Sequence, residues 1–263
     1  MKRMQFMMIW GFCFLIFSSV NSQENQNQAY WIHEDQVRPG QVEEYTEHAR
    51  KLVAMANEHN FQGMGWNVAQ MDDGTFLSIT PIDDFEHLQS LSFASLQEKV
   101  GQEKFSQLMN GFNKYYDYHG DYITILDNDL SYMPAGEGVV QDGKDFRKWH
   151  FMKVTAENDS KMREKLRELK DLYGKKNSKM HYRIYRSGFG QMGNNYVAVL
   201  SAKDAQDYAR LSAENDQVLG EEGKKKFREI MDLVTEYRNM QGQMRPDLAY
   251  HPTVVAAQPI QKD

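Results

Sequence analysis

The amino-acid sequence predicts an α+β protein in which one unit of about a hundred residues occurs twice. The motif Asp-Leu-x-Tyr-x-Pro stands at Asp129–Pro134 and again 118 positions later at Asp247–Pro252. Trp31 and Trp149 are separated by the same 118 positions. Further segments between these landmarks match in the same order, with small drifts in spacing that loop insertions and deletions would produce. Tandem duplication is therefore the simplest interpretation.

Each copy has the same order of predicted elements, β-α-β-β-α-β, which is the ferredoxin-like arrangement. In the first copy the aromatic and branched run Tyr30–Val37 predicts a strand, and Pro39 suits the first turn of the following helix. Apolar residues then recur at helical spacing from Val42 to Ala56. The later elements are a strand at Trp66–Ala69, a hairpin at Asp73-Gly74, a strand at Phe76–Pro81, a helical region capped by Asp83 or Asp84, and a strand at Tyr122–Leu126. The second copy repeats this order, and Gly242 predicts a shortened last strand near Met240–Met244.

These elements predict the following division of the chain. It comprises a signal peptide at 1–22, a first unit at 30–134, a linker at 135–147, a second unit at 148–252 and a tail at 253–263.

The N-terminus has the pattern of a secretory signal. Lys2 and Arg3 precede the apolar run Phe6–Phe17, and small residues follow it. Cleavage before Gln23 is expected, which predicts a secreted or periplasmic protein. The run is shorter than the roughly 20 apolar residues of a membrane span, so an uncleaved anchor is the weaker alternative.

Composition excludes several classes of function. The chain has 31 basic and 37 acidic residues, and loss of Lys2 and Arg3 with the signal would leave a net charge of −8. An acidic chain without basic clusters is not expected to bind nucleic acid or an anionic membrane surface, and no stable membrane span is expected after cleavage of the signal. The single cysteine, Cys13, lies in the signal, so the mature chain would have neither disulfides nor thiol chemistry. Neither the net charge nor the lack of cysteine in the mature chain opposes self-association of the protein.

The segment "VRPGQVEEYTEH" (Val37–His48) resembles the dimeric α/β-barrel superfamily, which includes NIPSNAP-like domains and antibiotic-biosynthesis-type monooxygenases. The resemblance lies in a strand, a Pro-Gly pair and a helix with an early aromatic residue. It implies that two ferredoxin-like units join their sheets into one barrel, here within a single chain. The motif is structural, so the resemblance implies no catalytic residue.

Alternation of side chains along the strands predicts which residues face the barrel interior. Matching Trp31 to Trp149 places Trp31, His33 and Asp35 inside in the first copy, and Trp149, Phe151 and Lys153 inside in the second. The residues expected to line a ligand cavity are Trp31, Asn67, Trp149, Lys153, His181 and Arg183. Aromatic walls with a few polar groups are typical of small-molecule pockets, which predicts a small apolar or aromatic ligand.

His33 and Asp35 are the candidate catalytic residues, with His33 as a general base steadied by Asp35. A solvated or hydrogen-bonded histidine at a strand end is the structural alternative. Glu34 points away from both, so "HED" does not converge on a metal, and no metal site is predicted.

No cofactor is expected. "GFGQMG" (Gly188–Gly193) matches a dinucleotide-binding pattern, but a strand follows it where that motif needs a helix, so a hairpin loop is predicted. No G-x-S-x-G nucleophile motif is present.

Three functions remain open on the sequence alone. The first is an exported protein that binds a small molecule in its barrel. The second is a cofactor-independent oxygenase or isomerase that uses His33 as base, with Asn67 or Arg183 stabilising an oxyanion. The third is a structural or assembly protein whose barrel is packed with side chains.

Overall fold

The computed structural model describes residues 27–133 and 140–253. The predicted signal peptide, the residues at 134–139 of the linker region and most of the tail lie outside these ranges, and the predicted unit boundaries stay predictions. No helix in the described ranges has the length and apolar character needed to cross a membrane.

The first unit has four strands and four helices. They are β1 Gln28–Val37, α1 Val42–Glu58, β2 Asn67–Met71, β3 Thr75–Ile82, α2 Phe85–Ser90, α3 Ala94–Val100, α4 Gln102–Asn110 and β4 Tyr116–Leu126. The second unit repeats the order with one long helical segment, kinked at Gly220, in place of α2–α4. Its elements are β5 Phe146–Val154, α5 Asp159–Lys175, β6 Tyr182–Ser187, β7 Asn194–Ala202, α6 Ala205–Met231 and β8 Val234–Met244.

The eight strands form one closed antiparallel barrel in the order β1-β3-β2-β8-β5-β7-β6-β4. Each unit contributes a four-stranded sheet, and the sheets meet at two seams. At one seam β2 pairs with β8 over Ala69–Met71, and at the other β4 pairs with β6 over Thr124–Leu126. Closure leaves no sheet edge exposed, which removes the main aggregation hazard of an open sheet. The predicted fold class is confirmed.

Local turn chemistry follows the sequence closely. Gly74 has φ +89 in the β2–β3 hairpin, and the Gly188–Gly193 segment connects β6 to β7 as a hairpin loop. The Asp84 carboxylate accepts a hydrogen bond from the His87 backbone N–H at 2.7 Å and caps α2. The expectation for Pro39 is wrong: Pro39 lies in the turn before α1, which begins at Val42.

The last strands of both units are longer than predicted. β4 and β8 each span 11 residues, so the expected shortening of the second unit's last strand is wrong. Their first halves are polar and exposed at consecutive residues, which hides the strand signal. Gly242 does not end β8. It marks a close approach to β2, since a Cβ there would lie 2.0 Å from the Gln70 carbonyl oxygen.

The repeated motif ties each unit to the other. The two closing segments are Asp129–Tyr132 and Asp247–Tyr250. Leu248 and Tyr250 are buried in the helix–sheet core of the first unit, while Leu130 is buried in that of the second. Tyr250 bridges to Trp66 and Tyr132 to Tyr182, so each segment extends the sheet of the opposite unit.

Polar contacts also join each closing segment to the opposite unit. Asp129 pairs with Arg167 on α5 at 2.5 Å, and Asp247 pairs with Arg50 on α1 at 2.9 Å. The Tyr132 hydroxyl donates to the Ser178 carbonyl oxygen at 3.2 Å. These ion pairs are exposed and add little stability, so the buried leucines and tyrosines supply most of the attachment. Each closing segment therefore covers an edge of the opposite unit's sheet. Pro134 lies outside the described residues.

Substitution of Gly242 tests the β2–β8 seam. Gly242→Ala should lower the free energy of unfolding by about 1–3 kcal/mol, because its Cβ would collide with the Gln70 carbonyl oxygen and force the strands apart. Urea unfolding measures the change. Gly120→Ala in β4 is the matched control, since a Cβ there meets nothing within 4 Å. Equal stability of the two variants would contradict the close approach at the seam.

Candidate functional site

Three cavities formed by the described residues have the size that small molecules occupy. The barrel cavity has a volume of about 550 Å³ and lies inside the closed sheet. The first-unit cavity, about 440 Å³, lies between the outer face of the first unit's sheet and its helices α1 and α4. The second-unit cavity, about 320 Å³, occupies the corresponding position between β5–β8 and helices α5 and α6.

The barrel cavity contains most of the residues predicted for the second unit. Trp149, Lys153 and Arg183 line it, together with Phe151 and Tyr185. Part of the interior is filled by packed side chains, and the remaining space is bordered by charges of both signs. Each of these charged groups has a neighbour. Arg238 stacks 4.2 Å from the Phe151 ring centre, Lys153 Nζ lies 3.8 Å from Glu236, and Glu34 accepts a hydrogen bond from the Tyr122 hydroxyl at 2.9 Å.

Burial shifts the ionisation of groups around this interior. Burial, followed by the nearby charge of Arg183, lowers the pKa of Arg147 to about 10. Burial and the neighbouring Glu34 carboxylate raise the pKa of Tyr122 well above its usual value.

Two of the predicted ligand-binding residues lie near the strand starts rather than along the cavity wall. Asn67 begins β2, and its Oδ1 lies 3.1 Å from Nε2 of His251. His181 directly precedes β6, with its ring 5.6 Å from that of Tyr132. Trp149 and Arg183 line the barrel cavity, whereas Asn67 and His181 are not among its lining residues.

The predicted orientation of β1 is wrong. Ile32 and Glu34 line the barrel cavity, whereas Trp31, His33 and Asp35 line the first-unit cavity on the outer face. The pairing of β1 with β4 shifts register between Gln36 and Val37, and the pairing of β5 with β8 shifts between Lys153 and Val154, with the extra residue on β4 and β8.

These equivalent register shifts align Val37 with Val154, so β1 and β5 correspond at 117 positions, one fewer than the Trp31–Trp149 match. Ile32 therefore corresponds to Trp149, and His33 corresponds to His150. Because side chains alternate along a strand, a shift of one residue reverses every face assignment.

Four side chains of β1 and β4 form a His–Asp cluster at one end of the first-unit cavity: His33, Asp35, His119 and Asp121. The strand register places His33 opposite Asp121 and Asp35 opposite His119. His33 Nδ1 lies 3.0 Å from Asp121 Oδ1, and His33 Nε2 lies 3.3 Å from Asp35 Oδ1. Indole Nε1–H of Trp31 donates to Asp121 Oδ1 at 2.9 Å.

The two carboxylates determine the ionisation of His33. Burial opposes the charged ring, but the adjacent Asp35 and then Asp121 outweigh it and raise the pKa of His33 to about 9. A ring with this pKa is protonated at neutral pH and has no free lone pair to accept a proton, which opposes the general-base role there. The role itself stays a prediction.

Asp35 is the most buried member of the cluster, with a relative exposure of 5%. Its Oδ2 accepts a hydrogen bond from the Tyr45 hydroxyl at 2.6 Å. Among the described residues its buried Oδ1 accepts no hydrogen bond. Burial and the charge of Asp35 raise the pKa of Tyr45 well above its usual value, which keeps the phenol a donor.

His119 and Asp121 were not predicted as site residues, because the predicted last strand began only at Tyr122. One signal was nevertheless present. The pattern His-x-Asp occurs at His33–Asp35 and again at His119–Asp121, and two such patterns on antiparallel neighbours place all four side chains on one face.

The second unit lacks this cluster. At the corresponding positions it has His150, Met152, Tyr237 and Asn239. Nδ1 of His150 lies 2.7 Å from the Tyr237 hydroxyl, and burial, with the charge of Lys148, lowers the pKa of His150 to about 4. The two matched histidines therefore have opposite ionisation, and the charged site belongs to the first unit.

His150 generates a test of pH dependence. Its pKa in the folded state is below its unfolded value of 6.5, so its contribution to stability is present above pH 6.5 and is lost as pH falls towards 4. His150→Gln should therefore lose less stability than the wild type between pH 7 and pH 4.5 in urea unfolding. His251→Gln at an exposed position is the control, and identical acid sensitivity in the His150 variant would contradict the prediction.

Comparisons with known proteins identify the fold. No protein-family model matches the chain, and no curated protein matches it. Solved structures do match. An anthrone oxidase-like protein superimposes with a TM-score of 0.54 at 11% identity, covering 83% of this chain and 91% of that one. A candidate monooxygenase from Fusobacterium nucleatum gives 0.53 at 13% identity, covering 82% and 92%.

A third structure, a candidate monooxygenase from Lactobacillus acidophilus, gives a TM-score of 0.50 at 9% identity, covering 83% of this chain and 94% of that one. At these identities the likeness concerns the fold alone. The resemblance inferred from the sequence is confirmed at that level: the chain has the fold of the dimeric α/β-barrel superfamily, with both ferredoxin-like units in one polypeptide.

Proposed function

We propose that this protein binds a small, largely apolar or aromatic molecule in the first-unit cavity, with a polar group of that molecule against the His–Asp cluster. The observation that supports this best is the arrangement of the cavity itself. Aromatic and aliphatic walls enclose about 440 Å³, and charged groups converge at one end. A concave apolar pocket with a few oriented polar groups is the usual form of a small-molecule site.

The walls of the first-unit cavity come from the sheet and from the helices. The sheet side includes Trp66 and Val68, and the helical side includes Ala49, Leu52 and Phe112. Most of these side chains belong to or pack against the first unit's core, so the pocket is largely formed before a ligand arrives. A preformed pocket loses less conformational entropy on binding.

The barrel cavity is the alternative location, and the sequence-based hypothesis placed the ligand there. The barrel cavity is large enough for a small molecule. It is bordered by charged side chains, which favour water or a charged ligand: Glu34, Lys153, Glu236 and Arg238. Packing of Tyr30, Ile32, Trp149 and Val199 fills part of the interior, which agrees with a largely structural role for the barrel.

A second candidate function is an oxygenase or isomerase that begins by removing a proton from the bound molecule. The acceptor that the geometry offers is Oδ1 of Asp35, which is buried and accepts no hydrogen bond within the described ranges. His33, next to it, would hydrogen-bond to the oxygen that becomes negative. The names of the structural neighbours, anthrone oxidase-like protein and monooxygenase, make an aromatic ketone a reasonable first probe.

The binding site is tested with anthrone and 1,8-dihydroxyanthraquinone as probes in calorimetric titrations. Ala49→Leu, which introduces the residue found at the corresponding position of the second unit (Leu166), should fill the pocket and weaken binding at least tenfold. Val197→Phe narrows the barrel cavity instead and should leave the affinity within about twofold. The reverse pattern would place the ligand in the barrel, and the absence of saturable binding of both probes would count against an aromatic ligand.

We further propose that the protein acts after export, on the evidence of Lys2, Arg3 and the apolar run Phe6–Phe17. Expression of the full chain in a secreting host should yield a mature protein that begins at Gln23. Intact-mass measurement of the exported fraction checks the cleavage site. A protein that keeps Met1 and stays with the cells would contradict export.

A further inference from the structure

The His–Asp cluster has the composition and placement of a metal-binding site. Within residues 27–133 and 140–253, one group of three such side chains brings its ligand atoms together: His33, Asp35 and His119, all within 4.8 Å of one another. We propose that these three residues bind a divalent transition-metal ion such as Zn²⁺, Fe²⁺ or Co²⁺, and that Asp121 orients His33 by a hydrogen bond to its other ring nitrogen.

The strand register explains why these ligands converge. His33 and Asp35 are two residues apart on β1 and therefore share a face, and His119 lies directly opposite Asp35 on β4. The sequence-based argument against a metal considered His33, Glu34 and Asp35 alone. Glu34 does face the barrel, as expected, but the third ligand comes from a different strand.

The distances fit a shared ion. Bonds of about 2.1 Å in a tetrahedral arrangement place neighbouring ligand atoms about 3.4 Å apart. Nε2 of His33 and Oδ1 of Asp35 are 3.3 Å apart. His119 lies further out and is exposed, so rotation of its side chain closes the remaining distance without moving the core.

The state of Asp35 provides an independent observation that points to a ligand. The residue is 5% exposed, and among the described residues Oδ1 accepts no hydrogen bond, although His33 Nε2 lies 3.3 Å away. A buried carboxylate oxygen without a hydrogen bond is costly unless an ion or another partner compensates it. Without a metal, the protonated ring of His33 offsets the charge at 3.3 Å; a metal ion between Oδ1 and His33 Nε2 would displace that proton and bond to both atoms directly.

The surrounding groups have the roles that hold metal ligands in place. Metal-binding histidines commonly donate the N–H of their second ring nitrogen to a carboxylate, and His33 Nδ1 lies 3.0 Å from Asp121. Asp121 is itself bonded by the Trp31 indole, and Asp35 is bonded by the Tyr45 hydroxyl through its other oxygen. This arrangement leaves His33 Nε2 and Asp35 Oδ1 as the inward-facing ligand atoms.

Two imidazoles and one carboxylate leave further coordination positions open. Sites of this kind accept water or a substrate as an additional ligand, and all three residues line the first-unit cavity. The polar group of a bound molecule would then reach the ion directly. Metal binding itself does not depend on that molecule, so the two proposals fail separately.

The second unit provides the internal contrast. It keeps a histidine at the position of His33, but Met152 replaces Asp35 and Tyr237 replaces His119. Neither replacement is a usual ligand for Zn²⁺ or Fe²⁺. The same fold therefore contains one site with ligands and one without, in a single chain.

The test uses the untagged mature chain, stripped with a chelator and titrated with Co²⁺ by visible absorption and with Zn²⁺ by calorimetry. One equivalent of each should bind, with a Kd in the micromolar range or tighter, and the melting temperature should rise. Asp35→Asn and His119→Gln should each weaken binding by at least a factor of 100. Asp121→Asn should weaken it about tenfold without abolishing it, because it orients a ligand rather than binding the ion.

His150→Gln in the second unit is the matched control and should leave the affinity unchanged. His119 is exposed, so its variant is expected to fold even if the Asp35 variant does not, and circular dichroism checks both. The proposal is overturned if neither ion binds saturably at millimolar concentration. It is equally overturned if folded His119→Gln binds as tightly as the wild type.

Discussion

Pairing of strands between the two units is the constraint on which the rest of the structure depends. Each ferredoxin-like sheet has two free edges, and a free edge presents unpaired backbone groups. The β2–β8 and β4–β6 seams satisfy these groups and turn two open sheets into one barrel. Closure also makes β4 a fully paired strand, between β1 of its own unit and β6 of the other, and the register of β1 with β4 brings together the four side chains of the His–Asp cluster.

Because both units lie in one polypeptide, the side chains around their two cavities can differ from each other. In a symmetric dimer of identical chains, every substitution changes two pockets at once. Here the first unit has His33, Asp35, His119 and Asp121 beside its cavity, whereas the corresponding positions of the second unit have His150, Met152, Tyr237 and Asn239. The opposite pKa shifts of His33 and His150 show how far the two environments differ on one scaffold.

The sequence was sufficient for the fold because repetition, turn residues and helical periodicity all indicate the same arrangement. Hairpins at Gly74 and Gly188–Gly193, and the capping by Asp84, follow from local chemistry that short segments contain. The orientation of β1 could not be obtained in this way. Trp31 and Trp149 are a conspicuous match in sequence but do not occupy corresponding positions in the strands, and an error of one residue reverses the faces. His119 was missed for a related reason, since the exposed first half of β4 lacks the alternation that marks a strand.

The exchanged closing segments also bear on how the chain is made. Leu248 and Tyr250 complete the core of the first unit, although nearly the whole second unit separates them from it in sequence. During vectorial synthesis, the half that emerges first must wait for almost the last residues before its interior is sealed. Contacts this distant along the chain slow folding. Until then an incompletely closed half would be the species most exposed to chaperones and proteases.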